Sequence, residues 1–287
     1  MRWGDVADLL DILDVRPAGD LRYFSVTRGD SNGRSVVEGS QMLAQAVVAA
    51  GRHSPARRPV SAHMVFLRAA STESPLEFGL TELSAGRTFT ALRVDVGQEG
   101  RLRASGTLLL DATAPDVVRH SVEPPPVPPP EKCEPVDMGV SGREIRVAEG
   151  AYTGDPEAPT GPPVIDAWVR HDRLPDDRCL HTGLLAQFTG HMSIAAALRP
   201  HPGRGQDQAH LALSTAVNAI TLSLHSPVRA DRWMLYHHHS TFAGDGMTHS
   251  ECRVHDEDGA LLASFSADCM VRGFEIPVGT KAPEVLL

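Results

Sequence analysis

Apolar and polar positions alternate at LRYFSVT from Leu21, SAHMVFLRA from Ser61, PLEFGLTEL from Pro75, TFTALRVDV from Thr88 and RLRASGTLLL from Arg101, and each stretch predicts a strand. A short amphipathic helix over Asp5–Leu13 comes before them. The stretch RGDSNGRS from Arg28 is rich in turn formers. After it, GSQMLAQAVVAA from Gly39 is small or apolar on nearly every side, which predicts a helix lying deep against a sheet and ended by Gly51. This half of the chain therefore reads as one buried helix followed by four strands.

The pattern then starts again. Strands are predicted at REIRVAE from Arg143 and VIDAWVRHD from Val164, then a helix over Asp177–Leu198. Four more strands follow, at VNAITLSLH, RWMLYHHHSTF, SECRVHD and ALLASFSADCMVRGF. Asp176 or Asp177 can cap this second helix, and Pro200 lies just past its end. Gly183, Ala186 and Gly190 share one of its faces, where missing side chains let another backbone or a thin ligand come close. Two hairpins carry the same register: Glu99-Gly100 is followed by Leu102, Ala104 and Ser105, and Asp258-Gly259 by Leu261, Ala263 and Ser264. Repeated order and repeated register together indicate a duplication. A curved antiparallel sheet wrapped around one apolar helix, present twice, is an α+β tandem (double) hotdog. The expected division is an N-terminal hotdog over 1–114, a proline-rich linker over 115–142 containing EPPPVPPPEKCEP, and a C-terminal hotdog over 143–287. Joining the two sheets edge to edge would cover strands otherwise open to aggregation.

Composition narrows the function. A formal charge of −9 disfavours a nucleic-acid partner. The 4 cysteines are scattered without a C-x-x-C pair, which fits a reducing cytosol and gives neither a zinc site nor a disulfide framework. No apolar run reaches membrane-spanning length, so a cytoplasmic protein without a membrane partner is expected. In the triplet His237-His238-His239 strand alternation sends the outer two to one face and His238 to the other, too few ligands for a metal.

Taken in order, VVEGSQMLAQAVVAA at Val36, HMVFLR at His63, SAGRTFTALRVDV at Ser84, LPDDRCLH at Leu174, RWMLYHHHST at Arg232 and DGALLASFSADCMVR at Asp258 resemble the type II, TesB-like acyl-CoA thioesterases. The resemblance implies hydrolysis of an acyl-CoA thioester to a free acid and coenzyme A by an activated water, without a cofactor, in a homo-oligomer. It also implies an Asp on the second central helix, a Thr on the next strand and a Gln on the last strand. Those positions fall on Gly190, Val217 and Ala267. The remaining candidates for water activation are Thr215 on the face of Val217, His191 beside Gly190, and Glu38 before the first helix. Glu38 also has an ordinary explanation, stabilisation by the helix dipole. For substrate binding the candidates are the amide of Gly39 as an oxyanion donor, Gln41, Gly190, and Arg68 and Arg87 as partners for CoA phosphates. Two other readings stand beside hydrolysis. One is an acyl-CoA or lipid-binding protein that has lost its chemistry. The other is a hotdog enoyl-CoA hydratase using Asp166 and His171.

Overall fold

The computed structural model describes residues 2–26, 29–30, 35–155, 157–209 and 212–274. In the first half, α1 (Val6–Leu13) is capped by Asp5, whose carboxylate accepts from the Asp8 amide. It is followed by β1 (Arg22–Ser25), α2 (Gly39–His53), β2 (Arg58–Phe66), β3 (Leu76–Ala85), β4 (Phe89–Gln98) and β5 (Arg101–Asp111). The second half supplies β6 (Arg143–Val147), β7 (Val164–His171), α3 (Arg178–Phe188), α4 (Ser193–Leu198), β8 (Leu213–Leu224), β9 (Met234–Gly244), β10 (Met247–Asp256) and β11 (Leu261–Gly273). Most of the turn-rich stretch from Arg28 lies outside the described residues; Gly29–Asp30 pairs in parallel with Arg2–Trp3.

Among the described residues, one sheet of 13 strands holds the molecule together. Its order is β1-β3-β4-β5-β2-β8-β11-β10-β9-β7-β6, with two-residue strands Arg16–Pro17 and Glu134–Pro135 at the two edges. Read outward from the centre, β2-β5-β4-β3-β1 repeats as β8-β11-β10-β9-β7, so the duplication is visible in the topology. The halves join where β2 meets β8 antiparallel, from Ser61 opposite Ser223 to Val65 opposite Ala219. Each half thus covers the other's open edge. The repeated hairpins also match: Ala104 and Ala263 are fully buried, and Ser105 and Ser264 face outward to Asp95 and His225. Their turns differ. Glu99 and Gly100 both have positive φ in a two-residue turn, whereas Asp256 folds a longer loop by accepting from the amides of Asp258 and Ala260.

The concave face of the sheet wraps the central helices, and these pack on each other as well as on the sheet. They run antiparallel: Ser40 lies at Gly190, Val48 at Gly183, and Gly51 at Cys179. A Cβ on Gly183 would sit 2.7 Å from Val48 Cγ2, and one on Gly51 2.9 Å from Cys179 Sγ. The glycine face of the second helix therefore packs against the first helix, so at Gly183 it makes room for a neighbour's side chain. Asp177 caps α3 as expected, accepting from the amides of Cys179 and Leu180 at 2.9 and 3.3 Å.

One expectation needs correction. The helix over Asp177–Leu198 is broken: α3 stops at Phe188, residues 189–192 form a turn with Met192 at φ 66°, and α4 starts at Ser193. Gly190 at the break and the hydroxyl of Thr189, bonded back to the Ala186 carbonyl at 2.7 Å, suit a helix end rather than a helix interior. The proline-rich linker docks on the second half. Trp168 Nε1 donates to the Pro128 carbonyl at 3.0 Å, Val127 packs on a buried cluster of Cys133, Ala148, Trp168 and Leu235, and Pro124 lies 3.6 Å from where a Gly259 Cβ would stand. Proline contributes here by losing little entropy on docking along the outer face of the second half.

The tight helix pair gives a direct expectation for stability. Gly183→Val should lower the unfolding free energy by about 1–3 kcal/mol, because the branched side chain is forced into Val48. Urea denaturation monitored by circular dichroism reads this, and an unchanged midpoint would mean the helices are free to move apart.

Candidate functional site

The chain enters α2 along β-like backbone, with Val36 bridged to Ser71 and the Val37 amide donating to the Ala70 carbonyl at 2.8 Å. Glu38 is the residue before the helix, and its carbonyl accepts the first helical bonds from Gln41 and Met42. Its side chain does not cap its own helix. The carboxylate crosses instead to the other half, accepting from Gln187 Nε2 at 3.2 Å and lying 3.8 Å from His191 Nε2. Beside the helix dipole, a contact between the halves thus holds this carboxylate.

His191 is positioned by the break after α3. Its amide donates to the Phe188 carbonyl at 3.0 Å, and its ring stacks on Phe188 with centroids 4.7 Å apart and planes 1° from parallel. Gly190 faces the first turn of α2, where a Cβ would lie 2.4 Å from Ser40 Oγ. Phe66, the last residue of β2, covers Gly39 with its ring edge 2.9 Å from that residue's Cβ position. Glu38, Gly39, Gln41, Gly190 and His191 therefore meet at one corner, where the start of α2 touches the end of α3.

Beneath this corner lies a buried layer that sequence reading missed. Arg143 is 8% exposed, with its guanidinium carbon 6.0 Å from the Phe188 ring centre. Burial pushes its pKa down to about 10 against the opposing pull of Glu38, Asp137 and Tyr236. It also lines a cavity of about 520 Å³ together with Gly4, Val136, Asp137, Gly139 and Ile145. Tyr236 packs edge-on to Phe188 at 4.9 Å and donates to the Leu185 carbonyl, its phenol held well above its ordinary pKa by burial. His238, fully buried beyond it, shares a 3.4 Å contact through Nδ1 with Ser193 Oγ. The signal for Arg143 was the alternation of β6, which puts it on the inner face with Ile145 and Val147. Gln187 precedes Gly190 by three residues, one helical turn.

Other candidates lie elsewhere. Thr215 is buried in β8 opposite Val271, four residues and about 13 Å along the strand from Ala219, where the seam with β2 ends. Among the described residues no hydrogen bond or ion pair links it to Glu38, Gly190 or His191. Arg68 lies at the Glu38 end of the first sheet, exposed, donating to the Leu102 carbonyl at 3.3 Å. Arg87 is in the β3–β4 turn at the opposite end, where Arg57 binds the carbonyls of Gly86 and Thr88. About 30 Å of β5 separates the two arginines, so they do not form one phosphate site. Asp166 and His171 cannot cooperate as a hydratase pair, since β7 sends them to opposite faces. Asp166 meets His237 at 2.6 Å on the outside, and His171 is buried inside beside the Ala230 carbonyl. Ala267 is fully buried, and the neighbouring Asp268 turns outward to His249 at 2.7 Å. Among the described residues no three His, Cys, Asp or Glu side chains are arranged to hold a metal ion.

The buried imidazoles set a pH window. Burial lowers the pKa of both His171 and His238 to about 3, assisted by Arg143 for the first and by His237 and His191 for the second. The unfolded chain takes up these protons near its ordinary value of about 6.5, so between 6.5 and 3 it binds more protons than the folded chain. Stability is full above about 6.5 and falls as pH drops through that window, by up to about 1.4 kcal/mol per pH unit for each histidine. Urea midpoints at pH 7.5, 6.5 and 5.5 should decline over the lower interval, and His238→Asn should flatten the decline; the same slope in that variant would assign the titration to other groups.

The chain matches a family model described as acyl-CoA thioesterase N-terminal domain over residues 27–114, and one described as acyl-CoA thioesterase C-terminal domain over residues 119–271. It is 25% identical over 261 residues to acyl-coenzyme A thioesterase 8 of Homo sapiens, covering 82% of this chain and 80% of that protein. It is also 25% identical over 285 residues to acyl-CoA thioesterase 2 of Haemophilus influenzae, covering 92% and 97%. Among solved structures, acyl-CoA thioesterase II TesB2 from Mycobacterium marinum superposes with a TM-score of 0.78 at 24% identity, covering 93% of this chain and 99% of that one. The last likeness shows the fold.

Proposed function

The chain belongs to the acyl-CoA thioesterase family, and from that membership we propose that it hydrolyses an acyl-CoA thioester to a free acid and coenzyme A. The observation that supports a working site is the meeting of Glu38 with His191 across the two halves, at the N-terminus of the 15-residue helix α2. Thioester hydrolysis requires a base for water and donors for the oxyanion. The Glu38 carboxylate takes a proton from the attacking water. His191, 3.8 Å from the same oxygen, hands a proton to the departing thiolate. The amide of Gly39, in the first turn of α2, faces the developing oxyanion at the positive end of the helix dipole. Gln41 and Gly190 shape the floor of the site, and Arg68 at the same end of the sheet is the candidate for a CoA phosphate. Thr215 and Arg87 have no part in this arrangement.

The same reading places the protein in the cytosol as a homo-oligomer. All four cysteines are free, and no helix among the described residues is long and apolar enough to cross a membrane. Exposed Leu83 and Phe89 beside the β3–β4 turn supply apolar surface for a second copy.

Thiol release from acyl-CoAs of short to long chain, measured alongside binding by calorimetry, tests the hydrolase assignment. Wild-type protein should release thiol, and Glu38→Gln and His191→Ala should each cut kcat by about a hundredfold or more, within the usual range for a general acid or base. Binding without release in the wild type would contradict the hydrolase reading and leave an acyl-CoA-binding protein.

A further inference from the structure

Ser40 stands in the first turn of α2, is 1% exposed, and its hydroxyl has no hydrogen-bond partner among the described residues. A buried hydroxyl left unbonded is costly, and one at a site calls for a ligand. The space it occupies is made by the other half: any Cβ on residue 190 would stand 2.4 Å from Ser40 Oγ and 2.8 Å from its Cβ, so only glycine there admits the serine. Further buried polar atoms lack partners on elements converging at this helix start, Gln187 Oε1 at the end of α3 among them. Gln41 Nε2 belongs to the next residue of the turn, 5% exposed. Asn218 Oδ1 sits at the bulge between Val217 and Ala219, one residue past the pairing of Ala219 with Val65, and so across from Phe66, whose ring covers Gly39. The bulge interrupts the alternation of β8 at Asn218.

We propose that Ser40 is a catalytic residue whose hydroxyl binds the attacking water beside Glu38, so that the two halves form the water site jointly through the fit of Ser40 to Gly190. This rests on the hydrolase reading above. A serine hydroxyl can donate one hydrogen bond and accept two, which suits it to hold a water while the neighbouring carboxylate removes the proton. The water oxygen then bonds to the thioester carbon, the carbon–sulfur bond breaks, and the thiolate leaves with a proton returned from the site. Ser40 itself forms no covalent bond.

The test compares wild type, Ser40→Ala and the double variant Ser40→Gly/Gly190→Ala, using an acyl-CoA that the wild type hydrolyses. No thiol release by the wild type would remove the hydrolase reading before any variant is compared. Given a wild-type rate, Ser40→Ala should lower kcat by about ten- to a hundredfold, the loss of one hydrogen bond to a charge-bearing reactant, with KM within about twofold. Its thermal midpoint should be unchanged or higher, because the deleted hydroxyl has no protein partner. The double variant refills the space with an alanine at residue 190 and no hydroxyl, and should stay as slow as Ser40→Ala. A wild-type kcat in either variant, or a drop in midpoint that accounts for the lost rate, would overturn the role assigned to Ser40. So would an acyl group found on Ser40 by intact-protein mass spectrometry during turnover.

Discussion

Everything in the molecule depends on how closely its two central helices approach. Gly183 under Val48, Gly51 under Cys179 and Gly190 against Ser40 let α2 and α3 pack antiparallel, each glycine receiving one side chain of the facing helix. The sheet reinforces this arrangement from outside, because β2 and β8 close both open edges in one ladder. Close packing of this kind is intolerant of added volume, since interiors pack at crystal-like density. It also brings the first turn of α2 against the end of α3, and there Glu38 meets Gln187 and His191 across the halves.

The broken second helix has a role in the same geometry. A continuous helix through residues 189–192 would carry His191 around the helix axis with the rest of the turn. With the break, the imidazole lies flat on Phe188 and faces Glu38. Arg143 below Phe188 is a buried charge held in the field of Glu38, and Tyr236 packs beside the same ring. Water is largely excluded from this layer, so each of these groups acts more strongly than it would at the surface.

Much of the fold was legible in sequence because its determinants are periodic. Alternation located the strands, small-residue density located the central helices, and the repeated hairpins at Glu99 and Asp258 disclosed the duplication. The site was legible only in part. Glu38, Gly39, Gln41, Gly190 and His191 come together as a group, but Thr215, chosen from a local strand face, lies farther out along β8, and Arg87, taken from the resemblance, lies at the opposite end of the first sheet. Ser40 and Asn218 could not be chosen from local pattern at all. Ser40 matters through its fit to a residue 150 positions away, and Asn218 through a bulge that local alternation does not announce.

The central claim is that water is activated at the corner where the halves meet. It is tested most directly by turning over an acyl-CoA in water enriched in oxygen-18 and weighing the acid released by wild-type protein and by the His191→Ala variant. The account predicts one heavy oxygen per acid formed, at a rate that depends on the wild-type protein and collapses in the variant. Acid formed equally fast by the variant, or no protein-dependent acid at all, would contradict it.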